Sequence, residues 1–201
     1  FENNENRVEN WPALNYVLIG DGSQKAIAGI TEDVNVWCWT DAQTYFVQGQ
    51  GADTFIPVAV PGSRGIVGRH AVCSGGGRLY FVSQDGVYEQ AGMQQRKLTW
   101  AIDPFFHGET IDGQTPINTS ASALAEIRLA YHADPYGSFL EMLYPASGSS
   151  IPNAQLVIKH NTQTGELTDC FFDTRTGLSL TSLFIDHEDR DLLAGGSDGH
   201  I

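Results

Sequence analysis

Short runs of β-branched and aromatic residues alternate along this chain with polar turns that are rich in glycine. Residues 34–39 (Val-Asn-Val-Trp-Cys-Trp) form one such run, and the polar residues 40–43 and a second apolar run, residues 44–47, follow it. Two apolar runs joined by a short polar segment are typical of a β-hairpin. Residues 78–89 repeat the arrangement. The pattern therefore predicts a chain built from repeated hairpins.

The two hairpins match residue by residue when they are superposed at a spacing of about 43 residues. The aligned pairs are Val36 and Leu79, Trp37 and Tyr80, Thr40 and Ser83, Tyr45 and Tyr88, and Gly49 and Gly92. A period of this length is typical of the blades of a β-propeller. Residues 192–201 begin the same pattern again, with an apolar run, a glycine-rich turn and the start of a return strand.

A four-stranded meander is predicted in the middle of the chain. Residues 127–132 and 139–144 flank a turn that contains proline and glycine, and two further strands are expected at residues 154–159 and 166–172. Another short strand is expected at residues 16–19. Helix is limited to short stretches, which we expect near residues 101–107 and 121–125.

These elements predict an all-β fold, a β-propeller or partial propeller of about four blades built from antiparallel meanders. Residues 1–12 read as an acidic N-terminal arm that ends at Trp11-Pro12, and residues 13–201 as the propeller-like domain. Because the last residues read as the middle of a hairpin, we expect the chain to be a fragment of a longer polypeptide.

The hydrophobic runs, the cysteines and the net charge of the chain each make some classes of function weaker candidates than others. No apolar run approaches the roughly 20 residues that a membrane-spanning helix needs. Cys38, Cys73 and Cys170 are too few and too scattered for a disulfide framework, so we expect thiols in the core. The net charge of −13 repels phosphate groups, so specific binding of nucleic acid is not expected and passing DNA would slide along the protein.

Two kinds of carboxylate pattern suggest ligands, but each has a simpler structural explanation. Residues 186–191 (Asp-His-Glu-Asp-Arg-Asp) could hold Ca²⁺, yet they lie between two apolar runs, where a charged hairpin turn is ordinary. Asp21-Gly22, Asp85-Gly86 and Asp198-Gly199 could be repeated sugar ligands, but Asp-Gly is also the preferred sequence of a type I′ turn. We therefore expect turns at all of these positions.

Other candidate groups also lack the arrangement that chemistry requires. His70 and Cys73 are not accompanied by a third group that would orient a catalytic pair. The triple glycine at residues 75–77 opens a strand and not a phosphate-binding helix. Four acidic residues could be proposed as paired glycosidase carboxylates, but nothing in the sequence brings two of them together; they are Glu109, Asp112, Glu126 and Glu141.

Seven aromatic residues could stack sugars or bases, but they recur at equivalent positions of the repeat, so core packing is expected. They are Trp37, Trp39, Tyr45, Phe46, Tyr80, Phe81 and Tyr88. No catalytic, cofactor-binding or metal-binding residue is assigned, and the chain is not expected to be an enzyme.

The order of several phrases resembles the structural β-propellers of tailed bacteriophages, a group that includes DNA-stabilisation and tail hub or nozzle-like proteins. Residues 75–88 (Gly-Gly-Gly-Arg-Leu-Tyr-Phe-Val-Ser-Gln-Asp-Gly-Val-Tyr) are followed by Leu98-Thr99 and by Ile-Asp-Pro-Phe-Phe at residues 102–106. The resemblance covers residues 27–201 as a repeat pattern. The acidic arm and the number of blades depart from that group.

The resemblance implies a structural and assembly protein of the virion, located at the head-to-tail junction or in the tail and assembled in the host cytoplasm. Its partners would be other virion subunits, a homo-oligomeric ring or neighbouring tail and portal proteins, reached through residues 1–10 and the loop at residues 146–151. A DNA conduit could be lined by its acidic surface. The alternative is a carbohydrate-recognising propeller, and a third class is a propeller hydrolase with converging carboxylates.

Overall fold

The computed structural model describes residues 18–20, 22–32, 34–49, 54–135, 137–161, 166–171, 180–186 and 191–196. Its first sheet contains four antiparallel strands in chain order. They are β1 (Ala28–Glu32), β2 (Asn35–Trp39), β3 (Thr44–Gln48) and β4 (Ile56–Ala59). The β2–β3 hairpin is the first of the predicted units, and its apolar alternation places Trp37 and Trp39 on the buried face.

The second sheet repeats this arrangement with β5 (Val72–Gly75), β6 (Arg78–Ser83), β7 (Gly86–Ala91) and β8 (Gln94–Lys97). A long connection to the third sheet follows. It contains a 3₁₀ turn at Trp100–Ile102 and two short helices, α1 (Asp103–Phe106) and α2 (Ala121–Leu124). The short helices predicted near residues 101–107 and 121–125 are therefore confirmed.

The third sheet is the meander predicted for the middle of the chain, with β9 (Arg128–Asp134), β10 (Gly137–Tyr144), β11 (Ala154–Asn161) and β12 (Glu166–Phe171). A two-stranded sheet of β13 (Leu180–Ile185) and β14 (Leu192–Gly196) follows. All the pairings are antiparallel. The all-β prediction is confirmed, and among the described strands no sheet closes on itself.

The second sheet is packed on both faces. Phe81 and Tyr88 lie opposite each other on one face, and Phe81 contacts Trp39 of the first sheet at 5.6 Å between ring centroids. Tyr80 points to the other face and stacks on Tyr131 of the third sheet, also at 5.6 Å. Gly75 permits this second contact, because a Cβ there would lie 1.9 Å from the Tyr131 ring. The sheets therefore stack face to face.

The first strands of successive sheets also contact one another: β1 contacts β5, β5 contacts β9, and β9 contacts β13. One continuous hydrophobic core runs across the first three sheets, from Trp37 in β2 to Ile158 in β11. The seven aromatic residues of the repeat all belong to the protein interior. Six of them are at most 7% exposed, and Phe46 is partly buried against the core.

Three sequence predictions need correction. Leu18 and Ile19 lie outside any strand, while the rest of that predicted strand falls outside the described residues. The turn at Asp85-Gly86 is not type I′, because Ser83 pairs with Gly86 and neither central residue has positive φ. The loop at residues 146–151 is exposed only in part, since Ala146 is buried and pairs with Ile117.

Candidate functional site

A cleft of about 640 Å³ opens where the hairpin turns of the first two sheets meet the connections between sheets. This volume lies within the range of roughly 300–1,000 Å³ that is usual for ligand sites. Its polar lining residues are Asp41, Gln84, Asp85, His107 and Thr119. Its apolar walls include Ile27, Ile66, Val67, Phe106 and Leu124. A smaller cavity of about 220 Å³ adjoins it and shares both hairpin turns.

Two equivalent hairpin turns supply Asp41 and Gln84, which are about 43 residues apart and occupy the same place in the repeat. The first turn is held by Thr40, whose buried hydroxyl accepts hydrogen bonds from the backbone N–H groups of Ala42 and Gln43 at 3.3 and 3.0 Å. Such local side-chain bonds favour a tight turn. Asp41 is thereby fixed at the mouth of the cleft.

The connection between the first and second sheets is packed tightly against this turn. The backbone N–H of Ile66 donates to the Thr40 carbonyl at 2.9 Å. A Cβ on Gly65 would come within 2.2 Å of the Asp41 carbonyl group, so no larger residue fits there. Ile66 is 2% exposed and forms part of the cleft wall.

Asp85 is already engaged by its neighbours. The Tyr88 hydroxyl donates to its carboxylate at 2.8 Å, and the Arg64 guanidinium lies 3.4 Å from the same oxygen. Burial, followed by the hydrogen bond to Asp85, raises the pKa of Tyr88. The hydrogen bond to Tyr88 and the charge of Asp85 raise the pKa of Arg64. The Asp85 charge is therefore largely compensated within the protein.

An ion pair between Lys97 and Asp103 joins the second sheet to helix α1. The Lys97 side chain is only 4% exposed, forms an ion pair with Asp103, and lies 3.9 Å from Asp85. The hydrogen bond from Lys97 is the largest influence on the Asp103 carboxyl and lowers its pKa. His107, which lines the cleft, places Nε2 3.5 Å from Asp103. These contacts orient the imidazole at the edge of the cleft.

Three polar side chains of the cleft keep their full hydrogen-bonding capacity within the described part of the chain. No hydrogen bond or ion pair to the side chains of Asp41, Gln84 or Thr119 is formed by the residues that the structure describes. Among the described residues, the Asp41 carboxylate therefore has no counter-ion, and Asp41 is exposed to solvent at the cleft. The arrangement can accept hydrogen bonds from a cation or from a ligand with several donors.

The sequence marks Asp85 only as a turn residue and predicts no site at the other cleft residues. The repeat carried a signal for two of them, because it aligns Thr40 with Ser83 and so places Asp41 opposite Gln84. No comparable signal marks His107 or Thr119. They reach the cleft only because the long connection between the second and third sheets folds back over it.

The four acidic residues that were considered as glycosidase carboxylates lie in separate places in the structure. Glu109 and Asp112 are exposed residues of the long connection. Glu126 pairs with Arg128 at 3.0 Å, and the buried carboxylate of Glu141 accepts a hydrogen bond from Gln155 at 2.6 Å. Glu126 and Glu141 thus each have a partner of their own.

His70 and Cys73 belong to different local structures. His70 lies in the turn before β5, where burial and the charges of Arg128 and Arg69 lower its pKa. Cys73 lies within β5, and burial raises the pKa of its thiol. A protonated thiol is a poor nucleophile.

Among the described residues, no group of three or more His, Cys, Asp or Glu side chains is placed to hold a metal ion. The acidic run at residues 186–191 joins β13 to β14, and the Asp186 N–H donates to the Asp191 carbonyl at 2.8 Å. The hairpin predicted there is confirmed, while residues 187–190 lie outside the described residues. Asp21, Asp198 and Gly199 also lie outside them.

The chain matches no known family model, and no curated protein matches it. Within the part of the chain that the structure describes, no helix is both long and apolar enough to cross a membrane.

Proposed function

We propose that this chain is a β-propeller subunit of a tailed-bacteriophage particle, located at the head-to-tail junction or in the tail, and that it acts through contacts with neighbouring subunits. The observation that carries the propeller is the order of contacts between first strands, β1 to β5 to β9 to β13. In a propeller, blades are arranged radially around a central channel, so the first strands of neighbouring blades lie beside one another.

The stacking of the sheets supports the same architecture. A single antiparallel meander has two faces and cannot bury both by itself, so each blade depends on its neighbours. The second sheet has its two faces covered by Trp39 of the first sheet and Tyr131 of the third. Three four-stranded sheets and the β13–β14 sheet correspond to about four blades, which form a small ring or part of a larger one.

The assignment to a phage particle rests on the order of the sequence phrases, and the structure gives those phrases a packing role. The phrase at residues 75–88 forms β6, its turn and the start of β7. The Phe pair that follows is buried, with Phe105 0% and Phe106 2% exposed. These residues build the interior of the protein.

One sheet face offers a surface for subunit contact. Strand alternation places Val36, Val47 and Pro57 side by side on the face of the first sheet that points away from the second. Val36 is 37% exposed. In the loop between β10 and β11, Ile151 is also exposed, at 49%. Exposed apolar groups of this kind are typical of interaction surfaces when they are contiguous.

The net charge of −13 suits a protein beside which DNA passes, because like charges repel and keep the duplex mobile. The carbohydrate-recognising alternative has less support in the cleft. Sugar sites commonly present an aromatic ring, but Phe106, the aromatic residue of the lining, is 2% exposed. Among the described residues, Glu126 and Glu141 have separate partners and do not form the pair that the hydrolase class requires. Asp41 and Asp85 both line the cleft, but the Asp85 carboxylate is engaged by Tyr88 and Arg64.

Immunoelectron microscopy of phage particles that carry this gene tests the proposal. Antibodies raised against the chain should label the tail or the head-to-tail junction of intact particles. Mass spectrometry of purified particles should find the chain in a fixed ratio to the other structural proteins. Absence of the chain from purified particles, with the protein abundant in the infected cell, would refute the virion role.

A further inference from the structure

The stacked sheets use their two faces differently. We call the face that points to the preceding sheet the leading face, and the face that points to the following sheet the trailing face. In the second sheet, Phe81 on the leading face contacts Trp39 of the first sheet, and Tyr80 on the trailing face stacks on Tyr131 of the third. Each of these contacts therefore joins a trailing face to a leading face.

The leading face of the first sheet is partly exposed. The pairing register places Thr31, Val36, Val47 and Pro57 in one row across this face. Thr31 is exposed, and Val36 is 37% exposed. Leu79 holds the position of Val36 in the second sheet, where the first sheet lies over the leading face, and it is 0% exposed. The same position of the repeat is thus buried under a preceding sheet and exposed where none is described.

The trailing face of the β13–β14 sheet is exposed in a corresponding way. Phe184 and Leu193 lie opposite each other on one face of this sheet. Alignment of the Asp-Gly pair at residues 198–199 with that at residues 85–86 places Leu193 at the position of Tyr80, a residue of a trailing face. Tyr80 is 1% exposed, whereas Leu193 is half-buried and Phe184 is 42% exposed.

Neither of these two end faces carries a charged side chain at its described strand positions, although the chain contains 24 acidic and 11 basic residues. Depletion of charge is typical of the core of a protein interface. Copies with a net charge of −13 repel one another, so they can pack closely only where both surfaces lack charge. The positions are Gly29, Thr31, Val36, Cys38, Tyr45, Val47, Pro57 and Ala59 on the leading face, and Ser182, Phe184, Leu193 and Gly195 on the trailing face.

The two end faces do not cover each other within one chain, because the described strands of the first sheet make no extensive contact with β13 or β14. We propose that copies of this chain associate head to tail, with the trailing face of the β13–β14 sheet in one copy packed on the leading face of the first sheet in the next. The proposal names a second copy as the partner in the assembly role and rests on the propeller architecture proposed above. Because the contact joins two different faces, its repetition forms a ring where the rotation closes.

Sedimentation velocity of the full chain over a wide range of concentration, with two variants and their mixture, tests the proposal. The wild type should form oligomers as its concentration rises. Val36→Asp places a charge in the leading face and Phe184→Asp places one in the trailing face, so each should weaken self-association roughly tenfold or more. Mixed in equal amounts, the two variants should form a dimer and nothing larger, because the trailing face of the first and the leading face of the second remain intact.

Met93→Asp is the matched control. Met93 is 42% exposed, as Phe184 is, but it lies in the turn between β7 and β8, outside both end faces. This variant should associate as the wild type does. Thr31→Asp changes an exposed residue of the leading face beside Val36, so it replaces Val36→Asp in every comparison if that variant does not fold.

A wild-type chain that stays monomeric at all concentrations would overturn the proposal. Self-association of Phe184→Asp as strong as that of the wild type would also do so, since it would show that two leading faces meet each other. A mixture of the two variants that stays monomeric would exclude the head-to-tail contact. Head-to-tail oligomers of a chain that is absent from particles would refute the virion role alone, whereas a monomeric chain that is present in particles would refute this contact alone.

Discussion

At the scale of single residues, Gly86 links the geometry of a hairpin turn to the packing beneath the cleft. Its φ of +151° lies in a region that side chains other than glycine rarely adopt. A Cβ at this position would lie 2.5 Å from Thr99 Oγ1 and 2.6 Å from Lys97 Cε. The Thr99 hydroxyl also accepts the backbone N–H of Val87 at 3.1 Å. Two independent constraints therefore require glycine here.

We expect Gly86→Ala to destabilise the protein more than Gly77→Ala. Gly77 also has positive φ, +73°, but a Cβ there would meet nothing within 4 Å. The backbone strain alone costs roughly 1–3 kcal/mol, and the contacts with Thr99 and Lys97 add to it only at Gly86. Urea denaturation of both variants measures the free energies of unfolding. Similar losses in the two would show that the close approach has no energetic consequence.

At the scale of strands and helices, the alternation of apolar and polar residues predicts the central hairpins, but it does not predict the strands that depend on their neighbours. The β2–β3 and β6–β7 hairpins carry alternating apolar residues, and the sequence predicts them correctly. Strand β8 (Gln-Gln-Arg-Lys) has no apolar residue, and it forms because it pairs with β7 and because Gln95 donates to Thr44 Oγ1 at 2.8 Å. Tertiary contacts, which no local pattern encodes, decide such strands.

The cleft is still less predictable, because its lining comes from elements that are distant in the sequence. Ile27 precedes β1, Asp41 and Gln84 lie in two turns, and Leu124 belongs to α2. The repeat makes the equivalence of the two turns visible. The path of the connection between the second and third sheets is fixed by burial of Phe105 and by the contact between Lys97 and Asp103, which spacing does not reveal.

The contact between Lys97 and Asp103 predicts how helix α1 responds to acid. The hydrogen bond from Lys97 keeps the pKa of Asp103 in the folded protein below the value of about 4 that it has in the unfolded chain. The stabilisation that this contact contributes is therefore complete above about pH 4, and it is lost as the pH falls through the lower pKa of the folded state. The variant Asp103→Asn removes this contribution at all pH values. Its free energy of unfolding should therefore fall less than that of the wild type between neutral and acidic pH.

Chemical denaturation at a series of pH values from about 7 down to about 3 measures this difference. Asp112→Asn is the control, since Asp112 is exposed and forms no ion pair within the described residues. Parallel stability curves for wild type and Asp103→Asn would contradict the assignment. A flatter curve for Asp112→Asn than for Asp103→Asn would do so as well.

At the scale of the whole molecule, stability depends on one core that is shared by successive sheets. Tyr144 is fully buried in β10, and its ring meets Phe105 of α1 edge to face at 5.1 Å. Its hydroxyl has one long contact, 3.4 Å, to the Thr115 carbonyl. Burial raises the pKa of Tyr144 to about 12, because a phenolate would lose its hydration in this position.

This buried phenol predicts a loss of stability at alkaline pH. An unfolded tyrosine ionises near pH 10, whereas Tyr144 in the folded protein stays neutral up to about pH 12. The contribution of Tyr144 to the free energy of unfolding is therefore complete below about pH 10, and it is lost as the pH rises towards the pKa of the folded state. The variant Tyr144→Phe keeps the ring and cannot ionise. It should therefore lose roughly 2 kcal/mol less free energy of unfolding than the wild type between about pH 9 and pH 12. Lysine deprotonation affects both proteins and cancels from the comparison. Equal alkaline losses would mean that the core around Tyr144 opens to water before the protein unfolds, which contradicts a single continuous core.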